Sequence, residues 1–426
     1  MKQETALEIL KSGKNVFITG AAGTGKSYLL NQYIDYLENI KEISPVIVAP
    51  TGIAASHLGG QTIHSYFGLG IRQTVTDSFI NKLGQNQFYQ KKMRKLEVLI
   101  IDEISMVSPT LFSTIDEILK AFKDPFEPFG GVQVVLSGDF FQLPPIQKEH
   151  QLERFAWQSD AWRELEFNVC YLQEKFRQTN DVLINILDDI RAGKISDESF
   201  SALKSRCNID LDVDFTPTRL YTHNFNVDRV NHTELEKLNT PLKSFLAETD
   251  GEDMLVDKVY KMSMVKETLY LKVGATVIFI KNSTPKGYVN GTTGVITEFN
   301  DDGVPVVLTS SGHKITADVE EWKLKNDMDK VVAKVTQIPL RLAWALTIHK
   351  SQGMTLDSAE IDLSKTFEVG QGYVALSRIK SIKGLKLLGL NEVALQVDST
   401  ILKIDDRIKN ASKRAEKLFL KGDLNL

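Results

Sequence analysis

The apolar positions of this chain fall into short, near-continuous runs separated by stretches of helical periodicity. Runs at 16–19, 46–49, 98–101 and 132–136 are rich in Val, Ile and Leu, and the length of each suits a strand buried on both faces. Helical patterns cover residues 1–14, 27–38 and 109–122, the first ending at Gly13. Strands alternating with helices predict a parallel sheet covered on both sides, and this first α/β domain is placed at 1–170. Within it, the polar stretch 67–95 shows no strong period and reads as an insertion.

The pattern restarts after residue 171, with a helix at 181–191, a strand at 220–222 and a helix at 226–238. From 262 to 335 it turns β- and turn-rich, with apolar runs at 275–280, 294–297 and 304–308. These are punctuated by Asn290-Gly291 and Asp302-Gly303. Such turns between short strands predict hairpins and a small barrel. The α/β pattern then returns, with a helix at 342–350, a strand at 359–363, a helix to 378 and a strand at 385–388. The expected organisation is therefore a second α/β domain at 171–261 and 336–400, interrupted by a β insertion at 262–335. An amphipathic helix with a basic face closes the chain at 401–426.

Composition changes this picture little. Of 426 residues, 42% are hydrophobic and 25% charged, the balance of an ordinary globular protein. No apolar run reaches membrane-spanning length and the first residues lack a secretion-signal layout, so the expected setting is cytoplasmic, or nuclear or mitochondrial in a eukaryote. Cys170 and Cys207 are the only cysteines, which excludes a disulfide framework. A net charge of −4 argues against a protein that coats nucleic acid, yet it permits a local basic groove.

Candidate chemistry begins at 20–27, G-A-A-G-T-G-K-S, between the first strand and a helix. That is the context a P-loop requires. Gly20, Gly23 and Gly25 let backbone N–H groups wrap a polyphosphate, with Ala21, Ala22 and Thr24 completing the turn and Tyr28 following it. Lys26 suits the β- and γ-phosphates, and Ser27 suits Mg²⁺. The run at 98–101 delivers Asp102, a candidate for Mg²⁺, and Glu103, a candidate base for the attacking water. A third strand ends in Ser137-Gly138-Asp139, with Gln142 beyond it as a candidate γ-phosphate sensor. Arg177 and Arg378 are candidate arginine fingers.

Together these residues resemble a helicase of superfamily 1, the 5′-to-3′ branch, and within it the Pif-one family, related to Dda- and RecD-type enzymes. The resemblance runs through P-T-G-I-A-A at 50–55, T-I-H-S-Y-F at 62–67, I-D-E-I-S-M at 101–106 and G-D-F-F-Q-L-P-P at 138–145. It continues through F-R-Q at 176–178, T-H-N at 222–224, T-I-H-K-S-Q-G at 347–353 and Y-V-A-L-S-R at 373–378. Residues 103–123 look like the family's signature helix, although Lys120 and Lys123 stand where arginines are common.

The resemblance implies two RecA-like domains with parallel sheets and an SH3-like β insertion. It implies ATP with Mg²⁺ as cofactors, and roles in DNA repair, recombination and telomere maintenance. Gln3 matches the family's adenine-reading glutamine by distance, and Gly353 the motif V glycine. The implied partner is single-stranded DNA, with partial duplex, fork and G-quadruplex DNA as structured substrates, bound by a monomer and without a membrane. Strand contacts fall on Pro50, Thr51, Gly52, Thr62, His64, Ser65 and Phe67 in the first domain. In the second they fall on Thr222, His223, Asn224, His349, Lys350 and Ser351. Phe67 and Tyr66 would stack on bases. Two rival readings stay open: a P-loop phosphotransferase, and an ATP-gated clamp that remodels without unwinding. RNA is a lesser alternative to DNA.

Overall fold

A computed structural model describes residues 1–70, 72–145, 154–174, 182–211, 217–222, 227–263, 265–309, 312–325, 330–348, 351–352 and 354–422. The chain divides into two compact units, Met1–Thr179 with Ser399–Leu426, and Asn180–Asp398. Among the described residues no helix is long and apolar enough to cross a membrane.

The first unit is built on a six-stranded, all-parallel sheet. Its strands are β1 (Val16–Gly20), β2 (Val46–Ala49), β3 (Gln61–Thr62), β4 (Val98–Ile101), β5 (Gln133–Ser137) and β6 (Asn168–Leu172), in the order β3-β2-β4-β5-β1-β6. Every residue of β1 and β4 is buried, which explains their unbroken apolar runs. Ile9, Leu10, Leu29, Leu30 and Tyr33, from helices Gln3–Lys11 and Lys26–Asn39, form one core cluster with Ile18, Ile100 and Val135. A second cluster is aromatic. Phe17 packs at 5.2 Å from Trp162, which in turn meets Phe112 of helix Pro109–Phe122 at 5.8 Å. That helix starts where Ser108 accepts from Leu111 N–H with Pro109 at its first position, a start signal legible in the sequence.

The described part of 67–95 is structured. It forms helices Asp77–Gly84 and Gln87–Lys95, and Tyr89 joins them to the core by donating to the Phe67 carbonyl at 3.0 Å. The polarity that hid these helices reflects how little they bury: Tyr89 and Met93 alone in the second, none in the first.

Helix Ser399–Leu420 covers the free edge of β6. In a parallel ladder the Tyr171 N–H points away from β1, and it donates to the buried Ser412 hydroxyl at 2.9 Å. An edge donor is thus satisfied by a residue 241 positions away. Ser412→Ala should lower the unfolding free energy by about 1–3 kcal/mol, because the buried N–H loses its acceptor; urea denaturation measures this.

The second unit contains a four-stranded parallel sheet, ordered Ala345–Thr347, Thr218–Tyr221, Ala359–Leu363 and Leu385–Leu390. Its antiparallel part is a five-stranded sheet ordered Lys314–Thr316, Pro305–Thr309, Thr293–Phe299, Thr276–Phe279 and Leu340–Leu342. A three-stranded sheet (Glu320–Lys325, Val331–Gln337, Glu248–Gly251) and a strand pair (Thr268–Leu271, Lys243–Leu246) complete it.

Two expectations are corrected here. The described part of 342–350 is not a helix. Leu340–Leu342 and Ala345–Thr347 are strands, because pairing with Thr276–Phe279 and Thr218–Tyr221 overrides the helical propensity of Leu and Ala. The β signal also begins before 262, at Lys243–Leu246, whose mostly exposed residues carry no alternation to read.

Candidate nucleotide site and strand-contact residues

Because β1, β4 and β5 are adjacent and parallel, their C-terminal ends share one edge of the sheet. Ligands of open α/β sheets bind along that edge. Gly20–Ser27 follows β1, Asp102 and Glu103 follow β4, and Gly138 to Gln142 follow β5. The fold therefore gathers three motifs spread over more than a hundred residues.

The loop after β1 takes its shape from glycine. Gly23 and Gly25 have φ of +82° and +80°, a region side chains avoid, and Gly25 caps the helix that Lys26 begins. The Lys26 ammonium lies inside the loop, donating to the carbonyls of Gly20 at 2.8 Å and Ala21 at 3.1 Å. Thr24 Oγ1 donates to Ala21 at 2.9 Å. Ala22 lies at intermediate depth, while Ser27 and Tyr28 are exposed on the first helical turn. Gln3 reaches the same loop, its Nε2 donating to the carbonyls of Thr24 at 3.1 Å and Gly25 at 3.3 Å.

Asp102 is buried, and its N–H donates to the Val48 carbonyl at 2.9 Å. Burial pushes its carboxyl above the ordinary carboxylate range, opposed by the Ser137 hydroxyl, the Glu103 backbone, His57 and Lys26. Glu103 sits in the left-handed region at φ 51°, uncommon for a residue with a side chain. Gly138 lies so close that a Cβ there would meet Ile104 N at 2.9 Å, so glycine lets the ends of β4 and β5 touch. Gln142 is 6% exposed, its N–H donates to the Asp139 carbonyl, and its Oε1 is buried without a hydrogen-bond partner among the described residues.

The Ser27 hydroxyl and Asp102 carboxylate are hard oxygen donors that fit Mg²⁺. Among the described residues no cluster of three or more His, Cys, Asp or Glu could hold a metal. A cation shared with nucleotide phosphates needs no such cluster.

The strand-contact candidates of the first unit follow β2 and β3. Thr51 and Thr62 cap short helices, accepting from Ala54 N–H and Ser65 N–H, each at 3.2 Å, and each hydroxyl keeps its own proton to donate. Pro50, Gly52 and Ser65 lie at intermediate depth on the same turns. Burial lowers the pKa of His64 below its ordinary value, opposed by a backbone hydrogen bond at Arg72.

Phe67 does not fit the stacking expectation. It is fully buried, edge-on to Tyr66 at 4.9 Å, and Tyr66 is itself only 5% exposed and covered by the Lys92 ammonium at 3.9 Å. Both rings serve the core. Phe67→Ala should cost about 3–5 kcal/mol of stability without a selective loss of single-strand affinity, as urea melts and oligonucleotide anisotropy would show.

In the second unit, Thr222 is buried and its carbonyl accepts from Gln371. Ser351, expected on the strand, is also fully buried and donates to the Ile348 carbonyl at 2.8 Å, so its hydroxyl is turned inward. The Arg378 guanidinium lies in the interior of its own unit, bonded to the Val374 carbonyl at 3.0 Å and Ser377 Oγ at 2.7 Å. Arg177, His223, Asn224, His349, Lys350 and Gly353 lie outside the described residues. The roles of Gln371 and Ser412 were not legible in the sequence, since each depends on a partner more than a hundred residues away.

A family profile described as PIF1-like helicase matches residues 2–200, and one described as DNA helicase Pif1, 2B domain, matches 255–299. The ATP-dependent DNA helicase Pif1 of Psychrobacter sp. (strain PRwf-1) is 41% identical over 98% of this chain and 72% of its own length. A crystal structure of Bacteroides sp Pif1 in complex with ADP-AlF4 is 31% identical, covers 96% of both chains and has a TM-score of 0.82. Another, of the Bacteroides helicase with ADP-AlF3 and ssDNA, is 30% identical over 96% of both chains, with a TM-score of 0.67. On this evidence the chain belongs to the PIF1-like helicase family.

Proposed function

We propose that this chain is an ATP-dependent DNA helicase that steps 5′ to 3′ along single-stranded DNA and separates duplex ahead of it. The observation that carries the nucleotide half is the convergence of Gly20–Ser27, Asp102-Glu103 and Gln142 on one sheet edge. The DNA half rests on the relatives, one of which is a complex with ssDNA and another a structure of forked dsDNA unwinding. The strand polarity rests on the family resemblance, and the two parallel-sheet units are read as RecA-like.

The loop N–H groups and Lys26 bind and neutralise the phosphates, and Glu103 accepts the proton of the attacking water. Gln142 orients that water and reports the γ-phosphate. Mg²⁺, when bound, neutralises charge developing on the phosphates, with Ser27 and Asp102 as its protein ligands. Arg177 and Arg378 supply transition-state charge. The β-rich part of the second unit is read as the SH3-like module, guiding the strand. Forked, partial-duplex and G-quadruplex DNA are its structured substrates, engaged by a monomer.

ATP hydrolysis measured with and without oligo-dT tests the reading. It requires at least about tenfold stimulation by the oligonucleotide, a coupling of ordinary size. Hydrolysis indifferent to DNA, with phosphate passed to a small acceptor, would establish the phosphotransferase instead.

A further inference from the structure

The first unit carries an open apolar cleft that no step of the proposed chemistry uses. It lies between helix Asp160–Glu164, strand β6 and helix Ser399–Leu420, and its volume is about 500 Å³. Clefts of roughly 300–1,000 Å³ commonly take a ligand. The floor is aromatic: Phe17, Phe140, Trp162 and Phe167, with Trp162 edge-on to Phe17 at 5.2 Å and 4.8 Å from Phe167. Ile404 and Ile408, one helical turn apart, form the wall on the side of helix Ser399–Leu420. The charged residues of the lining, Arg163, Glu166 and Arg407, are all exposed and stand at its rim.

The same helix carries a cationic outer face. Its Ile401, Ser412 and Ala415 are buried, whereas Lys403, Arg407, Arg414 and Lys417 are exposed at spacings that place them on one side, flanked by Asp406. Lys409, set further inward, pairs with Asp405 at 2.6 Å; the four exposed cations enter no ion pair among the described residues. In a chain of net charge −4 this is a local positive surface. From Arg407 to Lys417 the helix rises about 15 Å, the length of about four extended residues.

The cleft and the stripe meet at Arg407, and together they narrow the chemistry of an occupant. A nucleobase in the cleft would bring ring donors and acceptors against aromatic and aliphatic walls, which is costly without partners. A phosphate backbone alone would use the stripe and leave the cleft empty, and a small apolar molecule would do the reverse. An acidic peptide with one bulky apolar side chain satisfies both. The acids at the rim, Glu166 and the Asp160 that holds Arg163 at 2.6 Å, belong to segment 160–166, so the carboxylates of such a peptide are directed to the helix.

We propose that this face docks an acidic peptide segment of a partner protein, its aromatic or branched aliphatic side chain in the cleft and its carboxylates along Arg407, Arg414 and Lys417. Burial of the side chain supplies affinity and the stripe supplies orientation.

Fluorescence anisotropy on the full chain tests this with a labelled peptide that has one tryptophan followed by a run of aspartates. The peptide should saturate the wild-type chain with a Kd below about 1 mM. Replacing its tryptophan by serine should weaken binding at least about tenfold, the loss of one buried apolar anchor. Ile408→Ser, which opens the wall of the cleft, should weaken the tryptophan peptide to a similar extent. Arg407→Glu combined with Arg414→Glu reverses charge at exposed positions without touching the core, and should weaken the peptide about tenfold, an effect that shrinks in high salt. In that charge-reversed chain ATP hydrolysis and oligo-dT affinity should stay within about twofold of wild type, because no nucleotide or strand candidate lies on this helix. Failure of the peptide to saturate would overturn the proposal. So would equal binding of the serine peptide, which would mark a surface read by charge alone. A fall in oligo-dT affinity in the charge-reversed chain, with the peptide unbound by wild type, would overturn it in favour of a nucleic-acid surface.

Discussion

Lys26→Ala is expected to abolish unwinding and to slow hydrolysis by about 10²–10³-fold, the cost of removing one preorganised positive donor from a phosphate site. Affinity for oligo-dT should stay within about threefold of wild type, a margin well below one tenfold step in affinity. The split follows from placement. The Lys26 ammonium is held among the carbonyls of Gly20 and Ala21 at the end of β1, whereas Thr51, Thr62 and His64 follow β2 and β3, on the far side of β4 and β5. Stopped hydrolysis assays and fluorescence anisotropy on one preparation measure both. Equal loss of hydrolysis and strand affinity would mean that the lysine supports the fold and not the phosphates.

Glu103→Gln should lower kcat by about 10²–10⁴-fold, the usual contribution of a general base, while leaving KM for ATP nearly unchanged. Glutamine keeps the size of the side chain and the left-handed backbone at φ 51°, so the variant removes the proton acceptor with little else. Asp102→Asn should behave differently, weakening nucleotide binding in magnesium, because that carboxylate is the proposed metal ligand. A Glu103→Gln enzyme with normal kcat would remove Glu103 from the chemistry.

How much of this could be read in the sequence depended on how local the signal was. Strands β1 and β4 are continuous apolar runs because each is buried on both faces, and the turn from Gly20 to Ser27 carries its own glycine signature. Both kinds of signal survive in one dimension. The strands at 340–347 did not, because Leu and Ala suit either state and only distant pairing partners decide between them. Lys243–Leu246 is nearly all exposed, so no alternation marked it.

Phe67 and Ser351 failed for another reason. A motif reports which residue stands at a position, but not whether its ring or hydroxyl faces solvent, and both side chains are fully buried. Glu103 illustrates the reverse: its place as the second acid after an apolar strand is legible in the sequence, while its left-handed backbone is seen only in coordinates. The same holds for Gly138, whose close approach to Ile104 is a contact between the ends of two strands.

The most direct test of the central claim is ATP-dependent strand separation on two otherwise identical partial duplexes, one with a 5′ single-stranded tail and one with a 3′ tail, each run with wild type and Lys26→Ala. The account predicts that wild type unwinds the 5′-tailed duplex, leaves the 3′-tailed duplex intact, and that Lys26→Ala unwinds neither. Unwinding of the 3′-tailed duplex alone would contradict the direction of stepping. DNA-stimulated hydrolysis without separation of either duplex would contradict the helicase and leave an ATP-gated clamp.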